Sequence, residues 1–264
     1  MRFFTSPFSV IQTSFWPVLV SLSLFNLLTS VTLWFNIKVN LLYLLVNMLA
    51  VLLISFLWWK DLSRESLLGF HSHPVEFSFR IAILLFIASE VLFFLSFFWA
   101  FYDASLVPTS ELGLSWPPKG VVPLSTFSVP FLNTVILLTR GVTVTWAHHS
   151  ILNNRVFDSR ARLLFTVSLG AYFMFIQYVE YFEAQFSMCD RVYGRTFFIT
   201  TGFHGLHVTI GALFLFYTFI LLSKSYLTSK HHFRFEAAAW YWHFVDVVWL
   251  FLFISIYYWG GLTF

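Results

Sequence analysis

The sequence predicts an all-α membrane protein with seven transmembrane helices, and three observations carry that reading. Apolar residues make up 59% of the 264 and charged residues only 10%. Apolar runs of bilayer-spanning length, about 20 residues, recur along the whole chain. Most Lys and Arg residues fall in or beside the short gaps between those runs. A water-soluble domain of this length has too little polar surface to cover so much apolar side chain. The formal charge of +3 comes without any basic block, which excludes nucleic acid as a partner. Cys189 is the single cysteine, so neither an intrachain disulfide nor a thiolate metal site is expected.

The spans are expected at 16–35, 41–59, 76–104, 129–150, 160–184, 196–223 and 236–258, within one integral membrane domain covering 1–264. Only "NIKVN" separates the first two, so they form a tight hairpin. The third span is long enough to tilt. It ends in "VPTSELGLSWPPKGVVPLS", where the prolines stop any helix. The start leads directly into the first span with no cleavable leader, and no internal repeat is evident. Seven spans place the termini on opposite sides. With the N-terminus inside, ten Lys and Arg lie inside, four lie outside, and Arg140 falls within a span. This bias sets the N-terminus inside.

Within the third span, "ASEVLFFLSFFWAF" carries one carboxylate, Glu90. Arg80 marks the inner boundary, and ten helical residues rise about 15 Å, half of a roughly 30 Å core. Glu90 is therefore expected near the midplane, where an ionised acid costs about 2.5–3.5 kcal/mol. It must be protonated, paired, or both. Ala82, Ser89, Ser96 and Asp103 recur every seven residues beside it, a small and polar stripe suited to close helix packing that turns Glu90 to the bundle interior. Other spans carry polar faces too: Gly170, Phe173, Gln177, Glu180 and Ala184; Thr200, His204, His207 and Gly211; Glu236, His243 and Asp246. Such groups must satisfy one another inside a bilayer.

Two readings of the histidines stand at this point. "HGLH" and "HFVD" each place two ligand-type side chains three residues apart, a spacing that metal or haem ligation uses. Hydrogen bonding to buried acids uses the same spacing, as do proton paths. "AHH" (Ala147–His149) ends the fourth span, where an interfacial role is expected rather than a metal role. Trp58 and Trp59 close the second span with the interfacial preference of indole. Together with Arg64, His71 and Arg80 they suit anionic lipid headgroups, or ordinary anchoring at the interface.

Seven stretches, in order and on the matching spans, carry a family resemblance: "WWKD", "SEVLFF…FFWAF", "LSWPPKGV", "TWAHHS", "YVEYFEA", "YGRTFFITTGFHGLHVTIG" and "FEAAAWYWHFVDVVWLFLF". Together they resemble cytochrome c oxidase subunit III nearly end to end. The resemblance implies a core subunit of the terminal oxidase that passes electrons from cytochrome c to oxygen and pumps protons. It implies two-helix and five-helix bundles separated by a lipid-filled cleft. It implies no catalytic residue, metal or cofactor in this chain, with haem a and copper in partner subunits. Subunit I is the expected main contact, with subunit II, accessory subunits and bound phospholipids as further partners. His204, His207 and His243 then become structural partners of buried acids. Glu90 matches the family's carbodiimide-reactive intramembrane glutamate. It is expected to pair with a sixth-span histidine, His207 in preference to His204. The Trp58, Trp59, Arg64, His71 and Arg80 group is expected at the inner rim of the cleft, holding headgroups.

The sequence departs from the family pattern at a few positions. Asp103 stands where histidine is usual, and Arg140, Arg191, Arg195 and Arg234 where small residues are common. Arg140 needs an acid, a lipid phosphate or a water path. Other functions are weighed against the subunit reading. A stand-alone transporter or proton carrier would show repeated halves and broken helices, which are not evident. A di-haem cytochrome would use the HxxH pair. The length, the absent leader and the 36 Phe favour a mitochondrially encoded chain in the inner membrane, N-terminus on the matrix side and C-terminus on the intermembrane-space side. A bacterial plasma membrane is the alternative.

Overall fold

The structure is a computed structural model and describes residues 14–67, 73–229 and 231–262. Among these residues, seven helices are long and apolar enough to cross a membrane. They are α1 (Trp16–Phe35), α2 (Leu41–Leu67), α3 (His73–Leu106), α4 (Val129–Leu152), α5 (Val156–Glu183), α6 (Arg191–Ser223) and α7 (Phe233–Leu252). The fold class is thus the one the sequence predicts.

Several helices overrun their expected spans. α2 continues through "KDLSRESL" to Leu67, α3 begins at His73, and α6 begins at Arg191. Hydropathy marks where apolar surface ends, whereas a helix ends where its hydrogen-bond ladder does. Lys, Arg, Glu and Leu are good helix formers, so the ladder runs on into the interface. α7 does the reverse of a simple extension. Its α-helical ladder stops at Leu252 and gives way to a π-helical stretch, Phe253–Tyr258, then a 3-10 turn, Trp259–Gly261.

Three helices end in the same hydrogen-bonded turn. After α1, Lys38 N–H donates to Leu33 O and Ile37 N–H to Trp34 O, both at 2.9 Å. After α4, Arg155 N–H reaches Ser150 O at 2.9 Å and Asn154 N–H reaches Ile151 O at 3.0 Å. After α6, Tyr226 N–H reaches Leu221 O and Ser225 N–H reaches Leu222 O, at 3.0 and 3.1 Å. Each is a Schellman closure, satisfying carbonyls that the last helical turn leaves open. Each needs one left-handed residue. Ile37, Asn154 and Ser225 supply it, with φ of 58°, 57° and 57°, where glycine is the usual choice.

The chain gathers into two compact units, residues 1–79 and 80–264. In the first, α1 and α2 pack as a hairpin. Ser23 and Ser30, one heptad apart on α1, are buried. Their hydroxyls turn back onto Val20 O and Leu27 O, leaving a small face for close approach. The indole of Trp16 donates to Asp61 Oδ2 at 2.8 Å and ties the start of α1 to the end of α2.

In the second unit, α4 to α7 enclose the buried core. Trp242 on α7 is wholly buried. A Cβ placed on Gly170 of α5 would stand 2.8 Å from its Cη2, and one on Gly211 of α6 would stand 2.9 Å from its Cε3. Those two glycines are therefore the recess that admits the indole. Above the ring lies the guanidinium of Arg140, from α4, 4.6 Å from the Trp242 ring centroid and 4.6 Å from that of Phe173. Arg140 is fully buried, and its Nε and Nη2 each lie 3.0 Å from Asp246 Oδ1, one helical turn along α7 from Trp242. The acid that Arg140 needs is Asp246. In the connection between α3 and α4, Trp116 is buried against Phe101 and Tyr193.

Two outcomes are expected. Gly170→Ala and Gly211→Ala each force a rigid indole to move, destabilising the fold by about 1–3 kcal/mol. Gly202→Ala, with nothing within 4 Å of the added Cβ, should be neutral or slightly stabilising. Unfolding midpoints in a denaturing-detergent titration check this, and equal losses at all three would contradict it. Asp246→Asn leaves Arg140 buried without a counter-charge and should destabilise by about 3–5 kcal/mol. The Arg140→Met, Asp246→Leu double variant should recover most of that loss in the same titration.

Candidate functional site

Glu90 lies on α3, and helical periodicity brings it to the face shared with Phe86, Phe93 and Phe94. Phe86 stacks on Tyr241 of α7 at 6.1 Å between centroids. Phe93 meets Phe203 of α6 edge-on at 5.0 Å, and Phe94 approaches Phe244 of α7 at 6.2 Å. This aromatic packing seats the carboxylate opposite α6. Its Oε2 lies 2.9 Å from His207 Nε2, so the residue that pairs with Glu90 is His207. The other ring nitrogen, Nδ1, donates to Phe203 O at 2.7 Å. A carbonyl oxygen only accepts, so Nδ1 carries a hydrogen. The bond at Nε2 then takes one of two forms: a carboxylic acid donating to neutral imidazole, or imidazolium donating to carboxylate. Either form is neutral overall, and one proton separates them.

The pair does not lie in the closed interior that the small-residue stripe led one to expect. Side chains of His207 and Glu90 are 9% and 22% exposed. They form part of the wall of a groove of about 420 Å³ between α3, α6 and α7, lined by Ile83, Phe93, Leu206, Ile210, Phe214 and Tyr241 among others. The stripe itself, Ala82, Ser89, Ser96 and Asp103, is exposed. Ser89 and Ser96 bond back to their own helix at Phe86 O and Phe93 O. Its heptad spacing marks one face of α3, and the aromatics occupy the face that packs.

His204 is not a partner of Glu90. It is 1% exposed, beside Phe173 and Trp249 at 5.9 and 5.3 Å, and neither ring nitrogen has a hydrogen-bond partner among the described residues. The HxxH pair thus serves two separate settings. His243 lies 3.9 Å from Asp246 Oδ2, and its side chain is 42% exposed; the acid's nearer partner is Arg140. Glu180, 2% exposed, accepts from Tyr257 OH at 2.6 Å and from Gln177 Nε2 at 3.4 Å. Asn133 Nδ2 in turn donates to Gln177 Oε1 at 3.3 Å. This network links α4, α5 and the π-helical stretch.

Glu236 opens α7. Its Oε2 lies 2.9 Å from Arg80 Nη2, and its Oε1 lies 3.1 Å from His232 Nε2. Arg80 also covers the Phe233 ring at 5.3 Å. Of the expected headgroup residues, Arg80 therefore already has a carboxylate. Trp59 is exposed and Trp58 half-buried on α2. Arg64 stands 3.6 Å from Asp61. His71 lies outside the described residues. Sequence reading missed Tyr257 and His232. Tyr257 reads as an interfacial aromatic, and His232 sits outside the apolar run. The i, i+4 spacing of His232 and Glu236 is the signal that would have found the second.

These features coincide with a known family. A family model described as cytochrome c oxidase subunit III matches residues 6–261. The chain is 51% identical over 256 residues to cytochrome c oxidase subunit 3 of Aedes aegypti, covering 97% of each. It is 51% identical over 258 residues to that of Loxodonta africana, covering 97% of this chain and 98% of the relative. The sea star Pisaster ochraceus has a counterpart 50% identical over 256 residues, again covering 97% of this chain and 98% of the relative. With seven membrane-length helices and these matches over almost its whole length, the chain belongs to the cytochrome c oxidase subunit III family, whose members are core subunits of the respiratory terminal oxidase.

Proposed function

We propose that this chain is a non-catalytic subunit of its oxidase, holding no redox centre, with haem a and copper in the partner subunits. Subunit I is its main contact, beside subunit II and accessory subunits. Its work is to stabilise the catalytic core, hold phospholipid, and support proton uptake. The chain is multi-pass in the mitochondrial inner membrane, N-terminus on the matrix side. The observation that carries this reading is the Glu90–His207 pair on the wall of an apolar groove. Among the described residues, a carboxyl there has one hydrogen-bond partner, no neighbouring nucleophile and no convergent ligand set, which suits a proton-holding or structural acid rather than a catalytic base. The exposed Trp59 and the cation of Arg64 support headgroup binding on α2.

The test begins with extraction in mild detergent. The chain should co-migrate with haem a absorbance and cytochrome c oxidation, and be colourless once separated. A haem spectrum retained by the isolated chain would overturn the non-catalytic assignment. At Glu90, a hydrophobic carbodiimide should label the carboxyl, since the reagent needs a protonated acid in an apolar setting. Glu90→Gln should abolish labelling yet keep a hydrogen bond to His207, with little loss of stability. Glu90→Leu leaves His207 Nε2 unpaired and should cost about 1–3 kcal/mol. Peptide mapping and detergent unfolding read the two effects separately.

A further inference from the structure

The end of α4 and the start of α7 bring three ligand-type side chains together. His148, His232 and Glu236 each offer a nitrogen or oxygen, and these three atoms lie within 4.8 Å of one another. We propose that they form a binding site for a divalent cation of borderline softness, Zn²⁺ being the natural occupant. The site rests on this chain's own residues and not on the subunit reading above.

Two imidazoles and one carboxylate are a donor set that zinc takes, leaving a fourth position for water. The spacing is close to what is needed. Zn–N and Zn–O bonds of about 2.0–2.2 Å at tetrahedral angles put donor atoms roughly 3.3 Å apart. His232 Nε2 and Glu236 Oε1 already stand 3.1 Å apart. His232 is the residue just before α7 and Glu236 lies in its first turn, so the helix start holds the two side by side. Only His148, at 5.5 Å from His232 between ring centroids, needs to close in by rotation of its side chain.

Unused capacity points the same way. His148 Nε2 and His232 Nδ1 are both buried and have no hydrogen-bond partner among the described residues. Buried ring nitrogens are normally satisfied. A metal would claim the first directly. Glu236 is held from behind: Arg80 Nη2 binds Oε2 at 2.9 Å and leaves Oε1 facing His232. A ligating carboxylate anchored through its second oxygen is the usual outer-shell arrangement of metal sites. The Arg80 charge opposes a cation, while the Glu236 carboxylate between them offsets it. Phe235, packed on His148 at 5.5 Å, gives the ring an apolar wall. Glu236 and His232 side chains remain 16% and 10% exposed, so an ion has a way in. Bound there, it would fasten α4 to the first turn of α7.

Crystals of the detergent-extracted assembly containing this chain, stripped with chelator and then equilibrated with ZnCl₂, decide the matter. Diffraction at the zinc absorption edge should place an anomalous peak among His148, His232 and Glu236. No peak there at saturating zinc overturns the proposal. His148→Gln and His232→Gln should each weaken zinc at this peak by at least about tenfold, as loss of a metal-site partner does. Unchanged occupancy in both variants would also overturn it. Glu90→Gln, which removes none of the three donor atoms, should leave the peak as it is. Should a variant fail to assemble, the unmutated assembly still gives the answer.

Discussion

Packing of residues 80–264 depends on where Trp242 sits. Inside a bilayer, lipid tails are as apolar as leucine, so helices gain little from hydrophobic burial against one another. Association must come from close packing and from polar groups that need partners. Trp242 supplies the first. Its indole is wholly buried on α7, in a recess made by Gly170 of α5 and Gly211 of α6. It then carries the Arg140 guanidinium of α4 at 4.6 Å. One side chain therefore touches three other helices. The second requirement is met by Asp246, one turn along the same helix, which neutralises the cation that the ring supports.

The two buried pairs of this unit have different physical characters. Arg140 and Asp246 are sealed, with side chains 0% and 10% exposed. Arginine does not give up its proton in proteins, and two of its nitrogens meet Asp246 Oδ1 at 3.0 Å, so that pair is a structural tie. Glu90 and His207 are more open, at 22% and 9%, and the proton between them has two resting places. The groove beside them is lined mainly by Phe, Leu and Ile. The scaffold around Trp242 matters to this pair because α6 and α7 present His207, Tyr241 and Phe244 to α3.

Much of this was legible before any coordinates. Apolar run length gives seven helices, because bilayer thickness fixes it. Burial logic alone demands a partner for Glu90 and for Arg140. The partners are harder. Asp246 sits far from Arg140 in sequence, and nothing local joins them. His207 was preferred through family likeness, and the aromatic seating that selects it over His204 involves Phe86, Phe93 and Phe94 meeting residues on two other helices. The heptad of Ala82, Ser89, Ser96 and Asp103 misled, because small residues fit a packed face and an exposed one equally well. Helix ends misled for a separate reason: the hydrogen-bond ladder of α2 outruns its apolar surface. His232 escaped notice because it lies in a polar connection outside the apolar runs, where hydropathy gives no reason to look for the i, i+4 pairing with Glu236.

Arg140 shows how a helix bundle absorbs a charge. Without the guanidinium, Asp246 would keep His243, at 3.9 Å, as its one ionisable neighbour among the described residues, and the Phe173 and Trp242 faces would lose their cation. Placing arginine there adds a large buried side chain and a full charge, each costly alone. The cost is offset because three features already exist on the neighbouring helices: an acid at hydrogen-bond distance and two aromatic faces. Charge, acid and rings are thus interdependent, and the acid's environment cannot be read from α7 alone. Residues in such a network do not contribute additively. The replaceable unit at this point in the fold is the pair with its aromatic seat, and not any one of its members.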